Sequence, residues 1–257
     1  MNGMDLFDLS GEKAIVTGAA RGLGEQIAIA LAEAGADVAL IDKDLQNAEK
    51  IAQDIEKIGK DAMALKVDVT EQGEVENMVR KVKEQFSKID IIVNNAGIAT
   101  VSPAEELSKE DWDRVIDVNL TGVFLCAQAA GREMIKQRKG NIINIASAAS
   151  LIVPWPQMHI HYNATKGGVL MITKTLAVEW AKYNIRANAI APFTMKTPMV
   201  VSSQLYAKYL DEWEARCPMR RIGEPEEIKG VAIFLASKAS SFITGSMILV
   251  DGGYLAW

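Results

Sequence analysis

Tyr162 and Lys166 are a pair of side chains whose types and spacing could do acid–base chemistry. They are four residues apart, so a helix would place both on one face. A free tyrosine has a pKa near 10, but a lysine charge about 4 Å away is worth roughly 4 kcal/mol at an effective dielectric near 20. A shift of about three pKa units would need roughly 4 kcal/mol, and Lys166 can supply much of that. Out of context, the same spacing is more often a surface pair on a helix.

The two histidines of the chain, His159 and His161, are the competing candidates for this chemistry. Histidine is the most frequent general acid or base because its ordinary pKa lies nearest neutral. If the helix of Tyr162 begins a turn early, His159 lies on the same stripe as the tyrosine and His161 lies nearly opposite. We therefore predict that His159 contacts the substrate and that His161 packs against a neighbouring helix or subunit. Because Tyr162 with Lys166 already provides a base, neither histidine is required as one.

A glycine-rich stretch near the N-terminus predicts a phosphate-binding loop. It reads TGAARGLG from Thr17 to Gly24, and it lies between the apolar run KAIV and an amphipathic stretch. A loop between a strand and a helix aims free backbone N–H groups and the positive end of the helix dipole at a pyrophosphate. The predicted contacts are Gly18, Arg21, Gly22, Leu23 and Gly24. Glycines also serve tight turns, so the prediction depends on the position of the loop.

Asp42 indicates which dinucleotide this loop would hold. It closes the second predicted strand, where an acidic side chain receives the adenosine ribose hydroxyls of NAD. A 2′-phosphate would meet like charge there, although Arg21 and Lys43 could each hold one. We predict NAD as the cofactor, with NADP as the alternative. Asp42 could instead cap the following helix, but Asp44 already fills that role.

The elements that must position these residues alternate along the whole chain. Short β-branched or apolar runs such as DVALID, IDIIVNN and IRANAIAP are separated by longer amphipathic stretches. This alternation implies parallel strands, right-handed crossovers and helices on both faces. The predicted fold class is α/β: a single-domain, Rossmann-type, doubly wound parallel β-sheet spanning residues 1–257. The run from Thr197 to Arg221 breaks the rhythm, and it is predicted to be a substrate lid at about 197–221.

Composition excludes several classes of function. The chain has 257 residues and a formal net charge of -5, so it has no attraction for nucleic acid. Cys126 and Cys217 stand far apart with only two histidines to join them, which predicts buried free thiols and no metal site. The N-terminal MNGMDLFDLSGEK has no secretory pattern, and no apolar run reaches transmembrane length. We expect a cytoplasmic protein with no membrane partner.

Together these motifs resemble the short-chain dehydrogenase/reductase family, whose nucleotide loop reads T-G-x-x-x-G-x-G and whose catalytic pair reads Y-x-x-x-K. The resemblance covers essentially the whole chain. It implies that Asp68 and Val69 bracket the adenine, and that the NNAG stretch after the fourth predicted strand lines the cofactor site. It makes Tyr162 and Lys166 catalytic and cofactor-binding residues rather than a surface pair. The cofactor contacts that the NNAG stretch provides are Asn95, Ala96 and Gly97.

The resemblance also assigns two helper residues. Ser147 ends the run NIINIAS and resembles the family serine that hydrogen-bonds the substrate oxygen. Ser150 is the rival, at a position where the family commonly has glycine. Asn119 resembles the asparagine that bends the long fourth helix and holds a water linking Lys166 to solvent. Its amide could equally satisfy a carbonyl inside the helix, and both roles can hold together.

The turn that binds nicotinamide in the family follows the sixth predicted strand. Pro192 matches the family proline, Thr197 lies where a hydroxyl would hold the carboxamide, and Met195 lies where a backbone N–H would. Phe193 departs from the family, which has glycine there. It could narrow the substrate pocket or pack beneath the lid.

The predicted function is reversible hydride transfer between NAD and a secondary alcohol, without a metal. Tyr162 takes the hydroxyl proton, Lys166 lowers its pKa and binds the nicotinamide ribose, Ser147 polarises the oxygen and Asn119 supports the proton relay. A 3-oxoacyl-acyl-carrier-protein reductase using NADPH is the alternative, although the net negative charge and Asp42 oppose it. A nucleotide sensor without catalysis is a second alternative, but such proteins commonly lose the tyrosine or the lysine.

The segment LIVPWPQMHIHYNATK resembles that of the polyol and sugar dehydrogenases of the family. It predicts a polyol, sugar or sugar acid as the small-molecule substrate. Ser147, Gln157, His159 and Phe193 are the predicted substrate contacts, and Trp155 could stack on a sugar face. Relatives associate through the two helices predicted around residues 112–137 and 162–182, so a homotetramer is expected.

Overall fold

The short apolar runs of the sequence become seven parallel strands of one sheet in a computed structural model, which describes residues 2–202 and 204–256. The strands are β1 (Lys13–Thr17), β2 (Asp37–Asp42), β3 (Ala62–Lys66), β4 (Ile91–Asn94), β5 (Gly140–Ile145), β6 (Ile185–Pro192) and β7 (Met247–Val250). Their order across the sheet is β3-β2-β1-β4-β5-β6-β7. The predicted doubly wound parallel sheet is therefore confirmed.

The strand order reverses at β1, which determines where a ligand can bind. Val16 of β1 pairs with Leu40 of β2 on one side and with Val93 of β4 on the other. After β3 the chain returns across β1 to form β4, so the crossovers before and after this point run on opposite faces. Open α/β sheets bind ligands in the crevice at the carboxyl ends of such neighbouring strands.

The crossovers are helical, as the amphipathic stretches predict. The helices are α1 (Gly22–Glu33), α2 (Leu45–Lys57), α3 (Gln72–Phe86), α4 (Lys109–Ile116), α5 (Gly122–Gln137), α6 (Ile160–Trp180), α7 (Pro198–Val201), α8 (Gln204–Ala207), α9 (Leu210–Arg216) and α10 (Lys229–Ala236). Within the described residues, no helix is both long and apolar enough to cross a membrane.

Two apolar layers hold the sheet between these helices. Successive side chains of a strand point to opposite faces, so a strand covered on both faces must be apolar throughout. In β1, Val16 packs into a cluster with residues of α1, α2 and α10, whereas Ile15 packs into a second cluster with residues of α3, α5 and α6. Both residues are fully buried. This burial fixes the carboxyl edge of the sheet, where the predicted site residues lie.

Two helix predictions need correction in detail. The long helix predicted around residues 112–137 is α4 followed by α5, with a π-helical turn over Asp117–Thr121 between them. The helix of Tyr162 does not begin a full turn early, because α6 starts at Ile160 and His159 is its N-cap residue. His159 therefore approaches the tyrosine from the preceding loop and not from the helix stripe.

The segment between β6 and α10 carries the three short helices α7 to α9. Tyr206, Trp213 and Ile222 form a small buried cluster there, and Phe193 and Val101 are partly buried against it. This apolar cluster attaches the segment to the carboxyl edge of the sheet. Phe193 packs beneath the segment, which is one of the two positions predicted for it.

Candidate active site

A cleft of about 880 Å³ opens at the carboxyl ends of the strands and brings the predicted residues together. Of those residues, all of which lie in the described part of the chain, Gly24 and Asn119 lie outside the cleft wall. The others line it: Gly18, Arg21, Gly22, Leu23, Asp42, Asp68, Val69, Asn95, Ala96, Gly97, Ser147, Gln157, His159, Tyr162, Lys166, Pro192, Phe193, Met195 and Thr197.

The glycine loop is shaped by contacts with Asn95, the residue after β4, as well as by its own backbone. Gly18 has φ +64°, a left-handed conformation that glycine adopts without strain. The Asn95 side-chain amide donates to the carbonyl oxygens of Thr17 and Gly18, each at 3.0 Å. A Cβ on Gly24 would overlap the carbonyl oxygen of Gly18. Gly24 therefore allows the close packing of loop and helix, and it does not face the cleft.

Asp42 is held by two backbone donors at the end of β2. Its Oδ2 accepts from the Ala20 N–H and its Oδ1 from the Asp44 N–H, both at 3.0 Å. These bonds orient the carboxylate and leave lone pairs for a further donor. The predicted cap of α2 is Asp44, whose side chain accepts from the Asn47 N–H. Asp42 is therefore not the helix cap.

Lys43 is engaged with another residue of the predicted adenine site. Its ammonium lies 2.6 Å from the Asp68 carboxylate. Burial alone would raise the pKa of Asp68, but hydrogen bonds from Lys43 and Thr70 hold it below its usual value. A 2′-phosphate would have to compete with Asp68 for Lys43. Of the two basic residues that could hold the phosphate of NADP, Lys43 is therefore less available.

Tyr162, Lys166 and Ser147 meet at the other end of the cleft. The Ser147 hydroxyl hydrogen-bonds the Tyr162 oxygen. The Lys166 ammonium donates to the Ile145 carbonyl oxygen at 2.7 Å and lies 5.5 Å from the centre of the Tyr162 ring. The helical spacing of the pair therefore gives the shared face that the sequence predicts.

Burial opposes the predicted lowering of the Tyr162 pKa by Lys166. Burial raises the pKa of Tyr162, and the hydrogen bond with Ser147 offsets only part of that rise. Burial also lowers the pKa of Lys166 to about 8. Attraction between the two charges favours a low pKa for Tyr162 and a high pKa for Lys166, whereas the cost of removing each charge from water shifts both pKa values the other way.

Asn119 lies behind the cleft wall, in the π-helical turn between α4 and α5. Its amide N–H donates to the Ile98 carbonyl oxygen and its Oδ1 accepts from the Ile98 N–H, both at 2.8 Å. Asn119 is fully buried. It therefore holds the loop after β4 rather than a carbonyl inside its own helix. Its role in a proton relay stays a prediction.

Ser150 has a structural contact that separates it from Ser147. Its hydroxyl donates to the Lys166 carbonyl oxygen at 2.8 Å, which ties the turn after β5 to α6. Ser147 begins that turn, and its hydroxyl oxygen accepts from the Ala149 N–H at 3.1 Å. Ser147 lines the cleft, which favours it as the residue that contacts substrate.

The two histidines occupy different environments. The His159 ring lies 5.0 Å from the Tyr162 ring between centroids and is only 5% exposed. Burial, with a smaller effect of His161, lowers the pKa of His159 to about 4. His161 is fully buried, and its Nε2 lies 2.6 Å from the hydroxyl oxygen of Thr100 in the loop between β4 and α4. His161 thus packs against this loop, and its packing against a neighbouring helix or subunit stays a prediction.

Three aromatic residues of the site were not predicted. Tyr206 and Trp213 line the cleft from the segment after β6. Burial, with a smaller effect of Tyr162, raises the pKa of Tyr206 to about 12. Tyr254 stacks on Phe193 with 3.7 Å between ring centroids. The aromatic residues of the irregular 197–221 run gave a weak signal for the first two, and Tyr254 gave none.

Trp155 does not reach the cleft. Its side chain is 52% exposed, and among the described residues of its loop it is Pro154, Gln157 and His159 that line the wall. The predicted stacking of Trp155 on a sugar face is therefore not supported by this geometry.

The residues present fit a nicotinamide dinucleotide. Gly22 has φ +63° at the start of α1, and a Cβ on it would project to within 3.5 Å of Thr197 on the opposite wall. The absence of a side chain there leaves a channel past the helix N-terminus, where backbone N–H groups bind phosphate. Asp42 lies at one end of this channel, and Tyr162 and Lys166 line the other. Within the described residues, no group of three or more His, Cys, Asp or Glu side chains is placed to hold a metal ion.

Comparisons with known proteins agree with this geometry. Residues 18–255 match the family model described as "Enoyl-(Acyl carrier protein) reductase". The chain is 40% identical to a galactitol 2-dehydrogenase of Rhizobium johnstonii over 252 residues, which cover 98% of both chains. It is 39% identical to an NAD-dependent glycerol dehydrogenase of Listeria innocua over 254 residues, covering 96% of this chain and 95% of the relative.

A solved structure gives the same result for the fold. The gluconate 5-dehydrogenase of Burkholderia cenocepacia, in complex with NADP and tartrate, has a TM-score of 0.92 and 38% identity over 99% of each chain. The chain belongs to the short-chain dehydrogenase/reductase family. It is an NAD(P)-dependent oxidoreductase that acts on CH–OH groups.

Proposed function

We propose that the protein transfers hydride reversibly between NAD and a secondary alcohol that is a polyol, sugar or sugar acid. The observation that carries this proposal is that Tyr162, Lys166 and Ser147 share one cleft with the glycine loop and Asp42. When bound, the oxidised cofactor supplies a hydride acceptor and a positive charge. The named relatives act on galactitol and glycerol, which supports a polyhydroxylated substrate.

In this proposal the protein supplies the proton acceptor and its supports. Tyr162 takes the proton of the substrate hydroxyl, and Ser147 orients the same oxygen through the hydroxyl contact that it makes with the tyrosine. Lys166 places a positive charge beneath the tyrosine ring and binds the nicotinamide ribose. Asn119 supports the relay of the proton to solvent. The 197–221 segment acts as a lid, since Tyr206 and Trp213 reach the cleft from it.

A panel of secondary alcohols tests this function. The expected result is NADH formation with polyols, sugars or sugar acids, and less NADPH formation when NADP replaces NAD. The panel contains no acyl-carrier substrate, so efficient turnover of its alcohols also favours the proposal over the acyl-carrier-protein reductase alternative. Binding of NADH without turnover of any alcohol would contradict the proposal and favour the nucleotide sensor.

The preference for NAD is supported by Asp42 and predicts the effect of one substitution. Asp42→Ser is expected to lower kcat/KM with NAD by about tenfold and to raise it with NADP, because one ribose acceptor and one repelling charge are lost together. The control is Asp54→Ser, at a surface residue of α2 that pairs with Lys57. It should leave the ratio of kcat/KM with NAD to kcat/KM with NADP unchanged. If the unmodified protein already prefers NADP, Arg21 outweighs Asp42.

A homotetramer in the cytoplasm is also part of the proposal. Exposed apolar side chains on α5 and α6, among them Phe124, Met171 and Val178, support association through these helices. Cys126 and Cys217 are both buried free thiols, as expected in a reducing compartment. Sedimentation at micromolar concentration is expected to give a particle of four chains, and a monomer alone would contradict this assembly.

A further inference from the structure

A chain of buried polar side chains crosses the apolar layer between the sheet and α6. The Asn94 side-chain amide of β4 donates to the Asn144 Oδ1 of β5 at 2.8 Å. The Asn144 amide in turn donates to the Thr173 hydroxyl oxygen of α6 at 2.9 Å, and that hydroxyl donates to the Val169 carbonyl oxygen at 2.8 Å. Asn144 and Thr173 are fully buried. These directional bonds therefore join two neighbouring strands to α6.

Stability of the fold does not account for these polar residues. Ile92 and Ile142 precede the two asparagines by two residues on the same face of the sheet, and both pack into the apolar cluster with residues of α5 and α6. Among the described residues, the Asn94 Oδ1 is buried without a hydrogen-bond partner, which is a cost to the fold. A directional bond in such a layer selects one arrangement of the packed elements, which apolar contact alone does not.

Apolar contact leaves the rotation of α6 about its own axis weakly determined. Its exposed face carries Ile160, Met171 and Val178, which lie about half a turn around the helix from Val169 on its buried face. Burial of apolar surface is non-directional, so it distinguishes these two faces poorly. The Thr173 hydroxyl distinguishes them, because it meets its partner on β5 only when its own side of the helix faces the sheet.

Thr173 lies on the same stripe of α6 as the proposed catalytic pair. At about 100° per residue, Tyr162, Lys166 and Thr173 fall within about 40° of one another. Each of the three contacts β5 or the turn after it: Tyr162 the Ser147 hydroxyl, Lys166 the Ile145 carbonyl oxygen and Thr173 the Asn144 amide. Of the three, Thr173 alone does not line the cleft. Its contact therefore fixes the angle at which the other two side chains reach the cleft.

We infer that Thr173 and Asn144 are positioning residues for hydride transfer, because their hydrogen bond sets the rotation of α6 and with it the placement of Tyr162 and Lys166. This inference rests on the proposed function, which assigns the proton transfer to Tyr162. The two positioning residues act through the catalytic pair, and they contact neither the substrate nor the cofactor.

Isosteric substitutions at Thr173 test this inference. Thr173→Val keeps the shape of the side chain and removes the hydroxyl, whereas Thr173→Ser keeps the hydroxyl. We expect Thr173→Val to lower the single-turnover rate of hydride transfer about tenfold with the best alcohol, because a small misplacement of reacting groups is costly. The Kd for NADH should change by less than about threefold, and Thr173→Ser should keep at least about half of the single-turnover rate.

The control for a general loss of stability is Thr244→Val. The Thr244 hydroxyl oxygen accepts from the Ala187 N–H at 3.1 Å near the start of β6, so this variant loses a hydroxyl contact but leaves the bonds of Thr173 in place. It should keep the single-turnover rate of the unmodified protein. In an Asn144→Leu background, Thr173→Val should lower the rate no further, because the bond that it removes is already absent.

An NMR measurement tests the placement of Tyr162 without turnover. The chain has five tyrosines, so the signal of the Tyr162 ring in tyrosine-labelled, cofactor-free protein is identified by its absence from Tyr162→Phe. We expect Thr173→Val to shift this signal. Thr173→Ser and Thr244→Val should leave it in place.

An unchanged Tyr162 signal or an unchanged single-turnover rate in Thr173→Val would overturn the inference, and so would a loss of rate that Thr173→Ser or Thr244→Val shares. Each of these results leaves the proposed function intact, because the unmodified protein still oxidises alcohols. If it oxidises no secondary alcohol, the proposed function fails and the Tyr162 signal alone decides. A shift confined to Thr173→Val then supports the positioning of α6, and an unchanged signal overturns it.

Discussion

Tyr162→Phe is expected to lower kcat/KM for the best alcohol by about a thousandfold or more, while the Kd for NADH changes by less than about threefold. The substitution removes the one oxygen that can accept the substrate proton and keeps the ring that packs against His159. General acid–base catalysis contributes about 100-fold to 10,000-fold, and loss of the oxygen also removes the hydrogen bond with Ser147.

A matched control is available in Tyr183→Phe, since Tyr183 lies in the turn after α6, outside the cleft, and its ring contacts Lys182. This control should keep normal turnover. Stopped-flow measurement of a single turnover separates the chemical step from release of the product. Near-normal single-turnover rates in Tyr162→Phe would show that another group accepts the proton. His159 would be the next candidate, because its buried imidazole lies against the Tyr162 ring.

The parts of the fold that could be predicted are those that a repeating pattern determines. Apolar runs of strand length alternate with amphipathic stretches, and burial on both faces of the sheet requires that alternation. The glycine loop was predictable for the same kind of reason, because its function depends on its position between a strand and a helix. Asp42 could be located because it ends a strand at the carboxyl edge, and Ser147 because it closely follows one.

Other features depend on contacts between distant segments and could not be predicted. The π-helical turn at Asp117–Thr121 accompanies the pairing of Asn119 with Ile98, a residue of another element. Trp213 reaches the cleft from an irregular segment with no period to follow. The stacking of Tyr254 on Phe193 joins the C-terminal residues to the end of β6. None of these contacts leaves a spacing signal in the sequence.

The directions of the pKa shifts of Tyr162 and Lys166 also could not be predicted from the sequence. Sequence spacing gives the distance between Tyr162 and Lys166, and that distance gives their attraction. Burial depends on everything packed around them: Lys166 is only 5% exposed. Desolvation therefore decides the direction of both pKa values in the structure, and it makes Lys166 costly to the fold.

Lys166→Met is expected to stabilise the folded protein while lowering kcat/KM by about a hundredfold or more. Burial lowers the pKa of Lys166 from 10.5 to about 8. Each pKa unit is worth about 1.4 kcal/mol, so the protonated lysine costs the fold about 3 kcal/mol near neutral pH. Loss of its hydrogen bond to the Ile145 carbonyl offsets about 1 kcal/mol. The net expectation is a gain of about 2 kcal/mol in the free energy of unfolding at pH 7.

The dependence on pH distinguishes this explanation from a simple packing effect. Below pH 8 both the folded and the unfolded chain hold the Lys166 proton, so the full cost is present. Between pH 8 and 10.5 only the unfolded chain holds it, so the stability of the unmodified protein rises relative to that of the variant. Denaturant unfolding of the cofactor-free protein should therefore show the advantage of Lys166→Met shrinking by about 3 kcal/mol across that window. Lys174→Met, an exposed position on the same helix, should show a constant difference. A Lys166→Met protein less stable than the unmodified chain at pH 7 would mean that the ammonium is well paired in its buried site, and the site would then stabilise the fold instead of being costly to it.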